Sequence, residues 1–597
     1  MIEEVEKFYR DFFNDDRVED LDRWLGESRA LTKQITDDEV NDAIMRLNNN
    51  RAVGPDGLPA EYFKYGGSEI KAEIAKLFNR IFEQHEELPE TQEGYLYPLN
   101  KEGKPRTAAQ TRPLTFLNTI RKILSNILLA RIADSVDKYL SANQMAYRRG
   151  RSTTEAAWTM QWIKATLQRF EGKYHVMKTD LSKAFDCIDR LLMLQIFEDN
   201  QIGGEDELRI LRYLLTDTSL QVKIKQESGQ HFKTTIGAPQ GDALSPMLFI
   251  IYLEHIMRAH RRDHPMLERA EDITIQYADD AQYNLFDADD GARHPEAVLD
   301  GCECGKCRAE HKQLTLPLSM RESNMQMNAD KTERLELTRQ GVATSKLELL
   351  GNSFNTKQEV EKRIRNANAA MNDCYKIFLK NNSISTKARL RLYNALVKPH
   401  LMYNIVALPL KQTEKDKLNA THRVHLRRAI GNFFPATLQC EELYIKTDQQ
   451  PIEVDIVYQR WIFFGHVLRQ AEDTPANRAM NNYYAEHTEE GEEKRKRLGR
   501  RPKSIAEGMV TELVRLDLDA RERLGVPKNV VIKLPIASMR RLANDKQTWI
   551  ALSKAIAVRA RVEWLENYRI KNKLPIPDES EVQDYLETPR VLRNKYY

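Results

Sequence analysis

Two adjacent carboxylates, Asp279 and Asp280, stand at the centre of the segment ITIQYADDAQYNL, residues 273–285. Apolar residues occupy mostly the odd positions on both sides, a period of two that predicts two half-buried strands joined by a tight turn. Side-by-side negative charges on a sheet are costly through repulsion and desolvation unless a cation neutralises them. Because hard cations such as Mg²⁺ take carboxylate oxygens, the turn predicts a metal site; from this segment alone, a solvated acidic turn is the alternative.

A third acid, Asp180, follows residues that favour a strand in the segment HVMKTDLSKAFDCID, residues 175–189. A helix is predicted from Lys183 to Phe197. An acid at the carboxyl end of a strand lies where the active sites of α/β proteins are typically found. Aspartate is also a favoured helix N-cap, so these residues leave both interpretations open.

A glycine-rich turn precedes an apolar helix that is predicted from about Leu244. Gly237 and Gly241 flank Pro239 and Gln240 there. Glycines at such a turn let a ligand approach the backbone closely. The turn is therefore a candidate binding element.

Basic residues cluster at several places and carry phosphate-binding potential as groups, whereas each one alone fits a solvated surface. They are Lys101 and Arg112 in one loop, Arg148, Arg149 and Arg151 beside Gly150, and Lys362, Arg363, Lys387 and Arg389 on two predicted helices. A basic run at 491–504 fits a solvated flexible segment, a phosphate-binding arm or a nuclear import signal.

A cysteine-rich segment lies within a stretch, roughly 286–320, that lacks an apolar period. Its candidate ligands are Cys302, Cys304, Cys307 and His311. Three thiolates and an imidazole could form a tetrahedral structural zinc site, although the C-x-C start is tighter than the usual C-x₂-C. Zinc would pin this insertion to the rest of the fold.

The totals indicate a large folded protein of three or four domains. The 597 residues include 91 basic and 88 acidic side chains, so a net charge of only +3 can conceal strongly basic faces. Six cysteines do not form a disulfide framework. With no signal peptide and no apolar run long enough to span a bilayer, we expect a soluble intracellular protein without a membrane partner.

Taken in order, the motifs resemble the reverse transcriptase of non-LTR (LINE-type) retrotransposons over about residues 1–470. The matching segments are RAVGPDGLP as the lead-in, LYPLNKEGK with TRPLTFLNTIRKILSNILLARI and QMAYRRGRST as the first two motifs, KTDLSKAFDCID as motif A, GAPQGDALSPMLF as motif B, YADD as motif C, NADKTE as motif D, LELLGNSF as the primer-grip hairpin and RWIFFGHVLR as a later segment. The order of motifs A, B and C makes the resemblance specific.

The resemblance implies an α+β fold, the right-hand polymerase of fingers, palm with antiparallel sheet and helical thumb, followed by a mostly helical C-terminal region. The implied boundaries are a helical N-terminal extension at 1–50, fingers at 51–170, palm at 171–356 with the Cys-rich insertion at 286–320, thumb at 357–411, and a basic helical region at 412–597.

The resemblance also implies roles for single residues. Asp180, Asp279 and Asp280 would be catalytic, and Asp180, Asp279 and the Leu181 carbonyl would bind two Mg²⁺ ions. Phe185 would be the steric gate that selects deoxynucleotides, and Gln240 and Gly241 would line the nascent base pair and template. Lys101 and Arg112 would contact the triphosphate, and Lys331 would protonate pyrophosphate. The basic residues named above would hold nucleic acid.

The implied function is that of an RNA-directed DNA polymerase. It would extend a primer 3′-hydroxyl by two-metal nucleotidyl transfer, with an RNA template, a DNA primer or target and deoxynucleoside triphosphates, in target-primed retrotransposition. The sequence leaves no room for the family's endonuclease, so we expect the polymerase part of an element, with a nuclease supplied in trans. We expect the protein in the nucleus during target-primed synthesis and in the cytoplasm during particle assembly. The alternative is a decayed or domesticated nucleic-acid-binding protein that no longer polymerises.

Overall fold

The structure is a computed structural model of the whole chain. It describes residues 2–14, 29–84, 86, 88, 91–100, 103, 107–169, 172–287, 304–338, 348–353, 355–381, 383–435, 437–485, 504–526, 534–578 and 580–582. Lys101, Cys302 and the basic run up to residue 503 lie outside these ranges. Among the helices described, none combines the length and the apolarity that crossing a membrane requires.

Helices and a pair of strands make up the first part of the chain. They are α1 (Ile2–Phe13), α2 (Asp37–Arg46), α3 (Ala60–Tyr65), α4 (Ser68–Gln84), β1 (Glu93–Asn100), β2 (Thr111–Leu117), α5 (Thr119–Tyr139) and α6 (Thr153–Arg169). Helix α2 begins at a capping box in which the Thr36 and Glu39 side chains satisfy each other's backbone N–H groups. The predicted N-terminal helices are therefore present.

The middle of the chain contains helices and most of the strands of two four-stranded sheets. Its elements are β3 (Lys173–Thr179), β4 (Leu181–Ser182), α7 (Arg190–Asp199), α8 (Glu205–Leu215), β5 (Ser219–Ile224), β6 (Glu227–Lys233), α9 (Ser245–Asp263), β7 (Ile273–Tyr277), β8 (Asp280–Asp287), α10 (Gly305–Glu322), β9 (Gln326–Met327) and β10 (Glu333–Thr338). One sheet has the order β2-β1-β5-β6 and a second has the order β10-β3-β8-β7. All pairings in the second sheet are antiparallel, as the predicted α+β fold requires.

The acidic turn joins β7 to β8, and the predicted hairpin is confirmed. Tyr277 pairs with Asp280, which leaves Ala278 and Asp279 as a two-residue turn. Ala278 has φ +56°, a left-handed conformation that such tight hairpins use. The strands are more buried than predicted, because both of their faces are covered: the polar residues Thr274, Gln276, Gln282 and Asn284 are buried together with the apolar ones.

The helix predicted from Lys183 was wrong at its start, since α7 begins only at Arg190. Lys183 has φ +52°, which no helix interior accepts. Asp189 instead caps α7 by accepting a hydrogen bond from the Leu192 N–H at 3.1 Å. The N-cap alternative for Asp180 is therefore also wrong, because Asp189 holds that position.

The segment 286–320, in which the sequence shows no apolar period, includes much of α10, and this helix packs against β3 and β8. Its buried face combines charged and apolar residues. Arg308 donates to Asp272 and to the Phe286 carbonyl, and Lys312 donates to Glu268 at 2.8 Å. Further along the helix, Leu316 and Met320 pack in the main apolar core. The apolar period is incomplete because Arg308 and Lys312 occupy buried positions, where acids and a carbonyl pair with them.

The remaining elements are a hairpin and a series of helices. They are β11 (Glu348–Leu349), β12 (Asn352–Ser353), α11 (Thr356–Cys374) with a π-helical turn (Tyr375–Leu379), α12 (Thr386–Leu396), α13 (Lys398–Met402), α14 (Gln412–Ile430), α15 (Cys440–Thr447), α16 (Ile452–Arg469), α17 (Pro475–Ala485), α18 (Ile505–Val514), α19 (Leu518–Arg523), α20 (Ile536–Asn544) and α21 (Lys546–Lys571). The predicted hairpin at Gly351 and the predicted Ser385 cap of α12 are both confirmed.

The C-terminal helices pack against the back of the acid-bearing sheet. Trp461 and Trp549 from α16 and α21 share a buried core with Ile273 and Ile275 of β7 and with Trp158 of α6. The Trp549 indole N–H also donates to the Trp461 carbonyl at 2.7 Å. The C-terminal region thus supports the sheet that positions the acids.

We expect Gly465→Ala to destabilise this support. A Cβ on Gly465 would lie 2.2 Å from Trp549 Nε1, and Trp549 is almost fully buried. Such overpacking should lower the free energy of unfolding by about 1–3 kcal/mol, measured by denaturant titration. Gly67→Ala is the matched control, because nothing lies within 4 Å of its added Cβ; equal stability of the two variants would contradict the prediction.

Candidate active site

Three neighbouring strands place the predicted acids at one end of the antiparallel sheet, where the strands end or begin. Thr179 of β3 pairs with Ala281 of β8, so Asp180 follows its strand beside the point where Asp280 begins its own. Asp279 occupies the turn between β7 and β8. The Asp180 carbonyl accepts a hydrogen bond from the Asn328 N–H at 2.9 Å, which fixes the chain where it leaves β3.

Burial and mutual repulsion raise the pKa of two of these carboxyls. For Asp279, desolvation is the largest cause, and the charges of Asp280 and Asp180 raise its pKa further. For Asp280, desolvation again raises the pKa most; Lys178 lowers it, Asp180 raises it, Lys331 lowers it, and the net shift is upward. The folded chain therefore holds negative charge here at a free-energy cost.

The donor set fits a hard divalent cation, because it consists of carboxylate oxygens whose excess charge a cation would neutralise. The Lys331 ammonium already contacts Asp180 Oδ2 at 2.8 Å. Within the ranges that the structure describes, no three His, Cys, Asp or Glu side chains converge in the arrangement of a metal site. The acids share one neighbourhood, with Lys331 as the cation that Asp180 contacts in this structure.

Gln144, which sequence reasoning did not single out, positions the acidic turn. Its Oε1 accepts hydrogen bonds from the N–H groups of Ala278 and Ala146, both at 3.0 Å. The Met145 N–H also donates to the Gln276 carbonyl at 2.9 Å. Gln144 begins the motif QMAYRRGRST, so attention to the amide rather than the arginines could have found it.

We expect Gln144→Ala to lower kcat by roughly 10- to 100-fold, because losing the amide frees the turn and misplaces Asp279. Single-turnover primer extension would measure the effect, with KM for the nucleotide nearly unchanged. Gln412→Ala, on the exposed start of α14, is the control. A parallel loss in both variants, or a loss explained by unfolding in a melting curve, would contradict a positioning role.

The loop after β4 and the glycine-rich turn join to form the wall beside the acids. The Ala238 N–H donates to the Phe185 carbonyl at 2.9 Å, and Gln240 Nε2 donates to Asp186 Oδ1 at 2.8 Å. The half-buried Phe185 ring lies 4.8 Å from the ring of Phe249 on α9. The predicted gate and the predicted template contact are therefore parts of one hydrogen-bonded unit.

Glycine is required at both ends of this turn. Gly237 has φ +83°, and a Cβ there would lie 2.8 Å from the Asp186 carbonyl oxygen. Gly241 has φ +152°, and its Cβ would lie 2.1 Å from the Thr115 oxygen of β2. Because backbone atoms cannot move aside easily, only glycine permits these contacts.

Helix α1 reaches both halves of the same wall. The Lys183 ammonium lies 3.9 Å from the Phe12 ring centroid and 5.0 Å from that of Phe8, a cation–π arrangement. The Phe13 carbonyl accepts hydrogen bonds from the N–H groups of Thr235 and Ile236. The sequence predicted α1 but gave no sign of this contact, which joins segments far apart in the chain.

Of the two predicted triphosphate contacts, Lys101 lies outside the described residues. Arg112 is exposed on β2, and Lys331 is exposed over 63% of its side chain while touching Asp180. Leu181 pairs with Met327 in the short β4–β9 ladder directly after Asp180. The triphosphate, pyrophosphate and carbonyl-ligand roles of these residues stay predictions.

Several predicted nucleic-acid contacts have internal partners instead. Arg148 binds Asp137 and the Ser141 and Gln144 carbonyls, Arg151 pairs with Glu155, Lys362 pairs with Glu348, and Arg363 pairs with Glu359 and binds the Gly351 carbonyl. Arg149 and Lys387 are exposed, and Arg389 is half-buried. The observed contacts give the first four a structural role, and nucleic-acid contact by any of the seven stays a prediction.

The zinc prediction stays untested. Cys304 is the N-cap of α10, and its sulfur accepts from the Cys307 N–H at 3.3 Å. The His311 ring lies 5.5 Å from the ring of His264. Because Cys302 lies outside the described residues, the proposed four-ligand set cannot be assembled from these positions.

Comparison with known proteins identifies the central segment. Residues 99–354 match the family model described as "Reverse transcriptase (RNA-dependent DNA polymerase)". The probable RNA-directed DNA polymerase from transposon X-element of Drosophila melanogaster is 24% identical over 245 residues, which cover 40% of this chain and 26% of that protein. The Pol polyprotein from type-1 retrotransposable element R2 of Nasonia vitripennis is 24% identical over 261 residues, covering 43% and 24%.

The matched part spans about a quarter of the length of these curated relatives. Among solved structures, telomerase from Candida albicans in complex with a telomeric RNA fragment aligns with 68% of this chain and 65% of its own, at 11% identity and a TM-score of 0.35. That likeness is too weak to support an argument.

The family match encloses Asp180, Phe185, Gln240, Asp279 and Asp280. Residues 99–354 therefore match a reverse transcriptase domain, and the curated relatives named above come from a transposon and a retrotransposable element.

Proposed function

We propose that this protein is an RNA-directed DNA polymerase that extends a DNA primer 3′-hydroxyl on an RNA template with deoxynucleoside triphosphates. The proposal rests on the position of Asp180, Asp279 and Asp280 at the same end of one sheet, where the pKa of Asp279 and of Asp280 is raised. A fold keeps such a costly cluster where function requires it. The ranges 51–170, 171–356 and 357–411 would serve as fingers, palm and thumb.

Asp180, Asp279 and the Leu181 carbonyl would hold two Mg²⁺ ions, with Asp280 adding negative charge. When bound, these ions would lower the pKa of the primer hydroxyl and neutralise the leaving pyrophosphate. The chain's own contribution is to hold the carboxylates in place through Gln144 and the Asn328 contact. Lys331, at 2.8 Å from Asp180 and largely exposed, is placed to give a proton to the leaving group.

Phe185 and Gln240 would select the incoming nucleotide. The Phe185 ring packs against Phe249, and the Phe185 backbone carbonyl accepts a hydrogen bond from the Ala238 N–H, so the ring would resist displacement by a ribose 2′-hydroxyl. Gln240 and Gly241 would lie along the nascent base pair. Arg112 and Lys101 would approach the triphosphate, and Arg149, Lys387 and Arg389 would approach phosphates of template or primer.

Target-primed retrotransposition is the proposed setting. A nuclease acting in trans would supply the nicked DNA end, in the nucleus, after assembly with template RNA in the cytoplasm. A structural zinc ion on Cys302, Cys304, Cys307 and His311 remains part of the proposal, and metal analysis of the purified protein tests it: less than about one zinc per chain would contradict a four-ligand site.

Primer extension tests the proposed activity. A labelled DNA primer on matched RNA and DNA templates, with and without Mg²⁺, should give extension on RNA that requires the metal. Incorporation on neither template under any divalent metal, together with salt-dependent template binding, would overturn the proposal. That result would favour the alternative of a non-polymerising nucleic-acid-binding protein.

A further inference from the structure

Two phenylalanines stand exposed on the loop between α14 and α15. Phe434 is 88% exposed and Phe433 is 51% exposed, the former being the most exposed large apolar side chain among the described residues. We name residues 432–438, of which 436 is outside the described set, the aromatic loop. Because exposure of neighbouring aromatic rings is costly in water, we expect a ligand to cover Phe433 and Phe434.

The base of the aromatic loop is fixed by hydrogen bonds. The Asn432 side-chain oxygen accepts from the Leu438 N–H at 3.0 Å, and the Asn432 N–H donates to the Arg427 carbonyl at 2.9 Å. Arg427 Nη2 in turn donates to the Leu438 carbonyl at 3.1 Å. The rings are therefore presented by a closed, braced loop, which lowers the ordering cost of binding.

The chain on either side of the aromatic loop carries a local excess of positive charge. Residues 374–411 contain seven Lys and Arg and no Asp or Glu, and residues 417–440 contain four and again none. The two stretches meet at the loop, since a Cβ on Gly431 would lie 4.0 Å from Arg389 Nη1. Glu441, just beyond, is neutralised by Arg569 through two hydrogen bonds of 3.0 and 3.1 Å.

Three arginines lie beside the loop. Arg389 and Arg427 are half-buried, and Arg427 already uses Nη2 to bind the Leu438 carbonyl. Arg428 lies over the Tyr375 ring at 4.8 Å, which orients its charge at the same end of the helices. We expect the exposed parts of these groups to attract phosphate, because guanidinium groups bind phosphate oxygens directionally.

We propose that the aromatic loop is a binding site for a single nucleic-acid strand, in which Phe434 stacks on an unpaired base. Arg389, Arg427 and Lys387 would neutralise the adjacent phosphates. Aromatic rings beside a cationic groove bind single strands without sequence preference, since every base has a π face. This inference rests on the proposed function and extends it, assigning a strand contact away from the acids.

The test is binding of the full chain to a single-stranded RNA or DNA that contains the fluorescent base 2-aminopurine. Phe434→Ala should weaken binding roughly tenfold and abolish the fluorescence quenching that stacking produces. The slope of log Kd against log salt should not change, because stacking releases no counterions. Lys387→Gln should instead reduce the magnitude of that slope by about 0.7.

Matched variants separate stacking from apolarity and folding. Phe434→Trp should retain affinity and quenching, whereas Phe434→Leu, which keeps an apolar side chain, should lose both. Leu518→Ala, at another exposed apolar position, should bind as the unchanged protein does. Unaltered affinity and quenching in Phe434→Ala would overturn the proposal and favour a protein partner for the loop.

Failure of the loop proposal and failure of the polymerase proposal are distinguishable. Binding is measured without nucleotide or metal, so a protein that does not polymerise would still show the Phe434 effect. Conversely, if primer extension succeeds at saturating template while Phe434→Ala binds normally, only the loop assignment is wrong.

Discussion

Asp279→Asn should abolish primer extension while leaving the protein as stable as before, or more stable. We expect a fall in kcat of roughly 10²- to 10³-fold or more, because the variant loses a charged oxygen where transition-state charge must be balanced. Stability should not fall, because the pKa of the Asp279 carboxyl is raised, first by burial and then by the Asp280 and Asp180 charges. As the pH rises above the unfolded pKa, the need to ionise this carboxyl makes the metal-free folded state less stable.

Two measurements on one preparation check this prediction. Extension on an RNA template gives kcat, and thermal melting in metal-free buffer gives the stability. Asp519→Asn, an exposed acid on α19, should change neither. Undiminished extension by Asp279→Asn would remove Asp279 from the mechanism, and a large drop in melting temperature would show that its charge stabilises the fold.

Phe185→Val should relax the choice of sugar. The Phe185 ring lies 4.8 Å from Phe249, and its backbone carbonyl accepts from Ala238 at 2.9 Å, so both the ring and its backbone are held. Replacing the ring with a short side chain opens space for a 2′-hydroxyl. The ratio of kcat/KM for deoxynucleotides to that for ribonucleotides should fall roughly 10- to 100-fold.

Phe185→Tyr is the matched comparison, because it keeps a ring at the same position and should keep most of the discrimination. The measurement is single-nucleotide extension with each sugar on one primer and template. If Phe185→Val incorporates both sugars in the original ratio, another group selects the sugar, and the assignment of Phe185 fails.

The local sequence pattern was sufficient to predict those elements whose contacts join residues that are close together in the sequence. The period-two segment around Asp279 predicted a hairpin, and the hairpin is present, although both of its faces are buried rather than one. The cap at Ser385 and the turn at Gly351 were likewise predictable, since capping and turn conformations depend on nearby residues. The motif order also predicted which acids meet.

Local sequence patterns could not predict contacts between residues that lie far apart in the sequence. The start of α7 depends on the glycine-rich turn that binds its preceding loop. The apolar stripe of α10 is incomplete because its buried Arg308 and Lys312 pair with Asp272 and Glu268. The individual basic residues show the same limit: composition predicts phosphate binding for all of them equally, but Arg151 and Arg363 face buried acids.

The sequence by itself therefore determined the acids, the glycines beside them and the polymerase-like order of motifs. Tertiary structure decided how these are held: Gln144 fixes the acidic turn from a motif more than a hundred residues away, and α1 binds Lys183 through Phe12. The physical reason is that chemistry and local backbone preference are properties of single residues and short segments. Position, burial and charge balance depend on which distant atoms the fold brings within a few ångströms.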